Sequence, residues 1–361
     1  RFDFTGETCP ERDLRGFLEM CRARNLYVVA RPGPYIYAEW PHGGPPERAA
    51  ALPRLSREFL DETAVYLDAV CPIMAPYLAT TGDGTIVLLQ ADNEPWPNLQ
   101  ARCEEVGAAG GGGLFADWLK SEYGSLDALN RAWRAAYGDW TEPAIYFEEP
   151  YINRSLTLNG RLLTGDRFTQ RYIDGQRFVE FYANRIIETV AGMYKERGID
   201  VPIYMNGWHP YAQNFALAME TVDLAGVDGL HRHPQFFDPS TPEFEDDYLT
   251  YTESLKMTVH DTDGIGFAAE MGMGHPTVGI ANRLTYAPKP QNNIFDYLFY
   301  MAHGMKAWNW YMLVDRDGWV CAAVDQFGEE TQYAPSIREA LKVADAIDVS
   351  RLESLKACSL I

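Results

Sequence analysis

Ile86-Val87-Leu88-Leu89-Gln90-Ala91-Asp92-Asn93-Glu94 is the most informative segment of the sequence. Its apolar, β-rich first half reads as a buried strand over 85–90, and a carboxylate stands just past its C-terminal end. A second run, Ile265-Gly266-Phe267-Ala268-Ala269-Glu270, has the same form and also ends on a carboxylate. Further strands are expected over 26–30, 201–206, 222–228 and 307–313, alternating with long amphipathic segments. That alternation is the pattern of a parallel α/β fold. Each of the six strands carries polar or aromatic residues at its C-terminal end, where a (β/α)8 TIM barrel builds its active site. Six strands instead of eight imply that the first two precede Arg1. The chain also opens without an initiator Met or a signal peptide, as a piece of a longer protein would. A barrel lacking two strands leaves two sheet edges open, so an upstream segment is expected to complete it.

Nearer the N-terminus, Thr8-Cys9-Pro10-Glu11 reads as a helix start with Thr8 as cap, and Leu14, Phe17, Leu18 and Cys21 fall on one helical face. Ser56 is a candidate cap for a helix running to about 78. Residues 107–160 break the rhythm with a glycine joint, Gly110 to Gly113, and helices over 114–123 and 126–137. This segment reads as a helical insertion after the fourth barrel strand, within one domain spanning 1–361. Long helices are expected over 168–197, ending at Gly198, and over 336–347.

The 361 residues are 47% apolar, enough to bury a large core, yet no run approaches the roughly 18 apolar residues of a membrane helix. A formal net charge of -20 disfavours nucleic acid and anionic membranes as partners. Cys9, Cys21, Cys71, Cys103, Cys321 and Cys358 are scattered without a C-x-x-C spacing, so neither a zinc site nor a redox pair is expected. The compartment stays open, with a slight lean to the cytoplasm, and a homo-oligomer is left open too. Paired His231 and His233 could ligate a metal, but no cluster at matching strand ends completes such a site. Gly110 to Gly113 lacks the Lys and Ser/Thr of a phosphate cradle. No cofactor and no metal are expected.

Chemistry therefore rests on the two strand-end carboxylates, because burying such groups is costly without a purpose. Around them the sequence resembles known enzymes. Arg31-Pro32-Gly33-Pro34-Tyr35-Ile36-Tyr37-Ala38-Glu39-Trp40, followed by Gly43-Gly44-Pro45, resembles the third-strand signature of glycoside hydrolase family 35, and Phe2-Asp3-Phe4-Thr5-Gly6 with Asp13-Leu14 matches the approach to it. Gln90-Ala91-Asp92-Asn93-Glu94 is similar to the acid/base strand shared by families 35 and 42. Ser125-Leu126-Asp127-Ala128-Leu129-Asn130-Arg131-Ala132-Trp133 looks more like family 42, and Asn309-Trp310-Tyr311-Met312 resembles the eighth strand of family 35.

The resemblance implies a retaining exo-β-glycosidase acting on a carbohydrate, foremost a β-galactosidase. Glu94 would be the acid/base and Glu270 the nucleophile, with Glu253 as a fallback for the latter. Retention asks for two carboxyl groups about 5 Å apart. The charge of Glu270 is expected to raise the pKa of Glu94 until that charge is esterified. Ala38 and Glu39 would line the sugar subsite, and Asn93 would meet the 2-hydroxyl. Tyr35, Asn206, Trp208, Trp310 and Tyr311 are further candidate contacts. The resemblance also implies β-sandwich domains downstream.

Two departures from the family 35 pattern, Pro95-Trp96 after Glu94 and Leu313-Val314-Asp315-Arg316-Asp317-Gly318-Trp319 after the last strand, bear on the substrate. An exo-β-glucosaminidase is the alternative, with Asp92 or an Asp of the 315–317 loop meeting the amine. A non-catalytic sugar-binding barrel is the third reading.

Overall fold

The computed structural model describes residues 2–37, 40–95, 106–108, 110–145, 157–158, 161–162, 166–207, 214–229, 242–276, 289–316 and 318–352. Six strands form one sheet: β1 (Val28–Ala30), β2 (Ile86–Gln90), β3 (Ile203–Gly207), β4 (Leu224–Gly229), β5 (Gly266–Gly272) and β6 (Met305–Tyr311). Every neighbouring pair is parallel and the spatial order equals the sequence order. All six expected strands are present, with no end shifted by more than two residues. Helices α1 (Leu14–Ala23), α2 (Arg57–Met74), α3 (Leu114–Tyr123), α4 (Leu126–Trp133), α5 (Asp166–Lys195), α6 (Pro242–Asp261), α7 (Pro290–Ala302) and α8 (Ala334–Ile347) precede, separate or follow the strands. The result is a curled wall of (β/α) units. Among the described residues no strand pairs with the outer edge of β1 or β6, and Leu26, Tyr27 and Val29 at the β1 edge are exposed.

Helix starts follow local hydrogen bonding. Ser56 caps α2 by accepting from Phe59 N at 3.2 Å, as expected. The first helix starts later than its sequence suggests. Pro10–Arg12 forms only a 3-10 turn, and Asp13, not Thr8, caps α1 by accepting from Gly16 N at 2.9 Å. The Thr8 backbone N–H is spent on Asp3 instead. Helix α4 stops at Trp133, short of 137, because Arg134 turns left-handed and the Asn130 amide closes the loop onto the backbone of Tyr137 at 2.9 and 3.0 Å. Gly198, with φ near +78°, ends the α5 segment as expected.

The strands' period of two divides the core into two layers. Leu88, Tyr204, Leu224, Phe267, Ala269 and Ala307 pack together on the inner face of the sheet. Ile203, Met205, Ala225, Val227 and Ala268 face outward onto the helices. Strands β4 and β5 approach closely at Gly226, where a Cβ would lie 2.7 Å from both Ala269 Cβ and Phe267 Cδ1. Helices α3 and α4 lie against α5. Their anchor is Asp174, fully buried, which accepts from Trp133 Nε1 at 2.6 Å, from Gln170 Nε2 at 2.9 Å and from the Tyr123 hydroxyl.

Candidate active site

Continuing along the inward-facing positions, each strand changes from apolar to polar at its C-terminal end. Leu88 is followed by Gln90, Tyr204 by Asn206, Leu224 and Gly226 by Asp228, and Ala307 by Asn309. On β5 the register shifts between Ala268 and Met271, which accompanies the placing of Glu270 in the same polar layer. One carboxylate oxygen from each of Glu94, Asp228 and Glu270 lies within 4.8 Å of the others.

A hydrogen-bonded net fixes these acids. Arg31, just past β1, donates from Nε to Gln90 Oε1 at 2.8 Å and from Nη2 to Asn93 Oδ1 at 2.6 Å, and it forms an ion pair with Glu270. Asn206 accepts from Gln90 Nε2 at 2.6 Å and from Glu94 N at 3.0 Å through Oδ1. Its Nδ2 donates to Asn93 Oδ1 at 2.9 Å and to Asp228 Oδ2 at 2.8 Å. Asn93 Oδ1 thus receives three donors, the third being Gln90 Nε2 at 3.1 Å. Its orientation is thereby set, with Nδ2 left as the amide's donor group.

The electrostatics follow from burial. Asp228 is 3% exposed. Desolvation, then the charges of Glu270 and Glu94, hold its carboxyl well above the usual carboxylate range, against the opposing pull of Arg31. Burial likewise pushes the Tyr204 phenol up, opposed by Arg31 and reinforced by Asp228 and Glu270. Among the described residues, the Glu94–Asp228–Glu270 trio is the one His/Cys/Asp/Glu group close enough to hold a cation, and Arg31 already sets a positive charge against it. His231 and His233 lie outside the described residues.

Behind the net, Asp92 holds the loop after β1. Its Oδ1 accepts from Tyr35 N at 2.8 Å, and its Oδ2 pairs with Arg54 at 3.0 Å, both side chains being buried. The Arg54 guanidinium lies 3.8 Å from the centre of the Tyr35 ring. The hydroxyls of Tyr66 and Tyr194 donate to Pro32 O and Gly33 O, each at 2.8 Å.

Glu94, Glu270, Asn93 and Asn206 therefore converge, whereas Tyr35, Trp310 and Glu253 do not. Tyr35 is buried between Arg54 and Phe59, so its ring supports the loop instead of facing a sugar. Trp310 points outward, stacked on Tyr297 of α7, because strand alternation puts it on the face opposite Asn309. Tyr311 is half-buried with its ring edge-on to Trp319. Glu253 is exposed on α6, which removes it as a fallback nucleophile. Ala38, Glu39 and Trp208 lie outside the described residues. Sequence reasoning missed Asp228 and the roles of Arg31 and Gln90. A strand ending in a buried Asp was the available signal for the first.

Comparison with known proteins agrees with this architecture. The model of glycosyl hydrolases family 35 matches residues 1–105, and that of family 42, described as β-galactosidase, matches residues 65–317. The last strand, which resembles family 35 by its motif, is thus covered by the family 42 model. An exo-β-D-glucosaminidase of Pyrococcus horikoshii is 35% identical over 180 residues, 41% of this chain and 23% of that protein. A β-1,2-glucosyltransferase of Ignavibacterium album is 24% identical over 343 residues, 86% of this chain and 44% of that protein. The chain spans less than half the length of either relative. The crystal structure of a β-galactosidase from the psychrophilic Marinomonas ef1 matches with a TM-score of 0.63 at 15% identity, covering 98% of this chain and 57% of that one. A likeness at that identity shows the fold, a TIM barrel. With one family model spanning well over half of its length, the chain belongs to glycoside hydrolase family 42, the β-galactosidase family, and is a glycosidase.

Proposed function

We propose that the protein hydrolyses terminal non-reducing β-D-galactosides with retention, using Glu94 as acid/base and Glu270 as nucleophile. The observation that carries this reading is the approach of their carboxylate oxygens to within 4.8 Å. Double displacement uses carboxyl groups about 5 Å apart, while inversion needs roughly 6.5–9.5 Å to admit a water. In the first step Glu270 attacks the anomeric carbon as Glu94 protonates the leaving oxygen. In the second, Glu94 takes a proton from water, which displaces Glu270 and releases the sugar. The ion pair with Arg31 orients Glu270 for attack.

The galactoside reading gains support from Asn93. With Oδ1 filled by three donors, the amide can only donate to the sugar's 2-substituent. A hydroxyl accepts such a bond, and an ammonium cannot. Asp92, a candidate partner for an amine, is instead engaged by Arg54 and Tyr35 N, and Asp315 accepts from Ala322 N at 2.7 Å. The glucosaminide reading keeps one specific support, the 35% identity to an exo-β-D-glucosaminidase over 180 residues. By the resemblance, Ala38 and Glu39 would line the same subsite.

Hydrolysis of an aryl β-galactoside and an aryl β-glucosaminide by the full-length protein, with Glu270→Gln as control, tests the reading. It stands if the galactoside is cleaved to free sugar and the variant loses that activity by several orders of magnitude. Cleavage of the glucosaminide alone transfers the same two carboxylates to the other substrate. Activity surviving in Glu270→Gln overturns the site.

A further inference from the structure

Asp228 is a buried acid in the polar layer that double displacement, as written above, leaves without a task. Asn206 ties it to the acid/base, since its Nδ2 donates to Asp228 Oδ2 at 2.8 Å while its Oδ1 accepts from the backbone N of Glu94 at 3.0 Å. An oxygen of the Asp228 carboxyl also lies within 4.8 Å of an oxygen of the Glu94 carboxyl. Two buried carboxyl groups that close repel one another when both are ionised, and a proton on one of them relieves it. Oδ1 of Asp228 has no N–H donor among the described residues, although it is fully enclosed.

Resting on the proposed function, we propose that Asp228 works as a neutral carboxylic acid that donates a hydrogen bond to Glu94 and so positions it and eases its ionisation. When Glu94 passes its proton to the leaving oxygen, a carboxylate is left behind. The Asp228 O–H meets that new charge without giving up its own proton. Glu94 then recovers a proton from the attacking water, so the count of protons on Asp228 is unchanged through the cycle.

The groups facing Asp228 from each neighbouring element favour this state. Glu94 follows β2, Glu270 stands on β5 and Tyr204 on β3, and among the described residues the one cation is Arg31 past β1, already paired with Glu270. An ionised Asp228 would add a second uncompensated charge beside Glu94 and resist the loss of Glu94's proton. Burial and these charges hold the Asp228 carboxyl up in the same direction.

The test compares kcat/KM against pH for the full-length wild type, Asp228→Asn and Asp228→Ala, using the aryl glycoside that the wild type cleaves. An amide can present its oxygen to Asn206 and its N–H to Glu94, so Asp228→Asn is expected to keep the rate within a few-fold and the alkaline limb in place. Asp228→Ala removes a donor to a developing charge and is expected to lose about 10- to 100-fold, with its alkaline limb moved upward. A downward shift of the Asp228→Asn limb by about a pH unit would show that Asp228 is ionised at work and overturn the proposal. So would an unaffected Asp228→Ala, or equal losses in both variants with wild-type limbs, which is the mark of a purely structural role.

Unfolding against pH reads the same proton without using activity. A folded carboxyl held above its unfolded value costs stability as pH rises from the unfolded pKa toward the folded one. Asp228→Asn, which cannot ionise, should therefore gain in Tm over wild type as pH rises from about 4 toward 7. A constant difference in Tm across that range overturns the proposal even if neither glycoside is cleaved, an outcome that would by itself count only against the proposed function.

Discussion

Arg31 and Glu270 form an ion pair that crosses the inner face of the sheet, joining the end of the first described strand to the fifth. The same guanidinium reaches Gln90 and Asn93, so one side chain holds the nucleophile candidate and the proposed 2-hydroxyl contact in a single frame. Breaking a buried pair from one side strands the other charge, at a cost of about 3–5 kcal/mol. Arg31→Ala should lower kcat/KM by at least about 100-fold and lower Tm as well. Arg31→Lys keeps the charge but not the fork that reaches three partners, so it should recover stability better than rate. Steady-state kinetics and thermal unfolding of the two variants check this. Equal recovery of both quantities would contradict it.

Glu94 should show the signature of an acid needed only for poor leaving groups. Glu94→Gln is expected to lose about 10²- to 10⁴-fold on an alkyl β-galactoside, where protonation of the leaving oxygen is limiting. On a dinitrophenyl galactoside the first step needs little acid help, so a rapid burst of phenolate should precede slow turnover. Stopped-flow absorbance reads the burst. Equal losses on both substrates without a burst would remove the acid role.

Gly226 should tolerate no side chain. A Cβ there would meet Ala269 Cβ and Phe267 Cδ1 at 2.7 Å, in the apolar layer directly beneath Asp228 and Glu270. Overpacking of this kind costs about 1–3 kcal/mol. Gly226→Ala should therefore lower stability by that amount in denaturant titration, and it should lower kcat more than a surface Gly→Ala control does.

Much of this was legible in the sequence because barrel strands announce themselves. Runs such as Ile86 to Gln90 and Gly266 to Glu270 are apolar on both faces, as strands between a filled interior and a helical layer must be. Their terminal carboxylates stood out against that background. Which face a side chain takes was less legible. Trp310 and Asn309 are neighbours in the motif, yet only Asn309 turns inward, where its Nδ2 donates to Ala269 O at 3.3 Å. Tyr35 lies inside the most recognisable motif but serves to pack the loop, a role set by Arg54 and Phe59 from elsewhere in the chain. Asp228 gave the weakest signal, because the glycines around it in Leu224–Gly229 dilute the strand pattern. Its importance comes from partners more than twenty residues away.

On the proposed mechanism Glu270 forms a covalent bond to the sugar. A 2-deoxy-2-fluoro-β-galactosyl donor with a good leaving group slows both steps and lets the intermediate accumulate, because fluorine at position 2 destabilises the oxocarbenium-like transition states. Mass spectrometry of the peptides from protein inactivated in this way should find one fluorogalactosyl group on Glu270, lost when turnover resumes with an acceptor. A label on Glu94, Asp228 or any other carboxylate, or turnover without a label, would rule out Glu270 as the nucleophile.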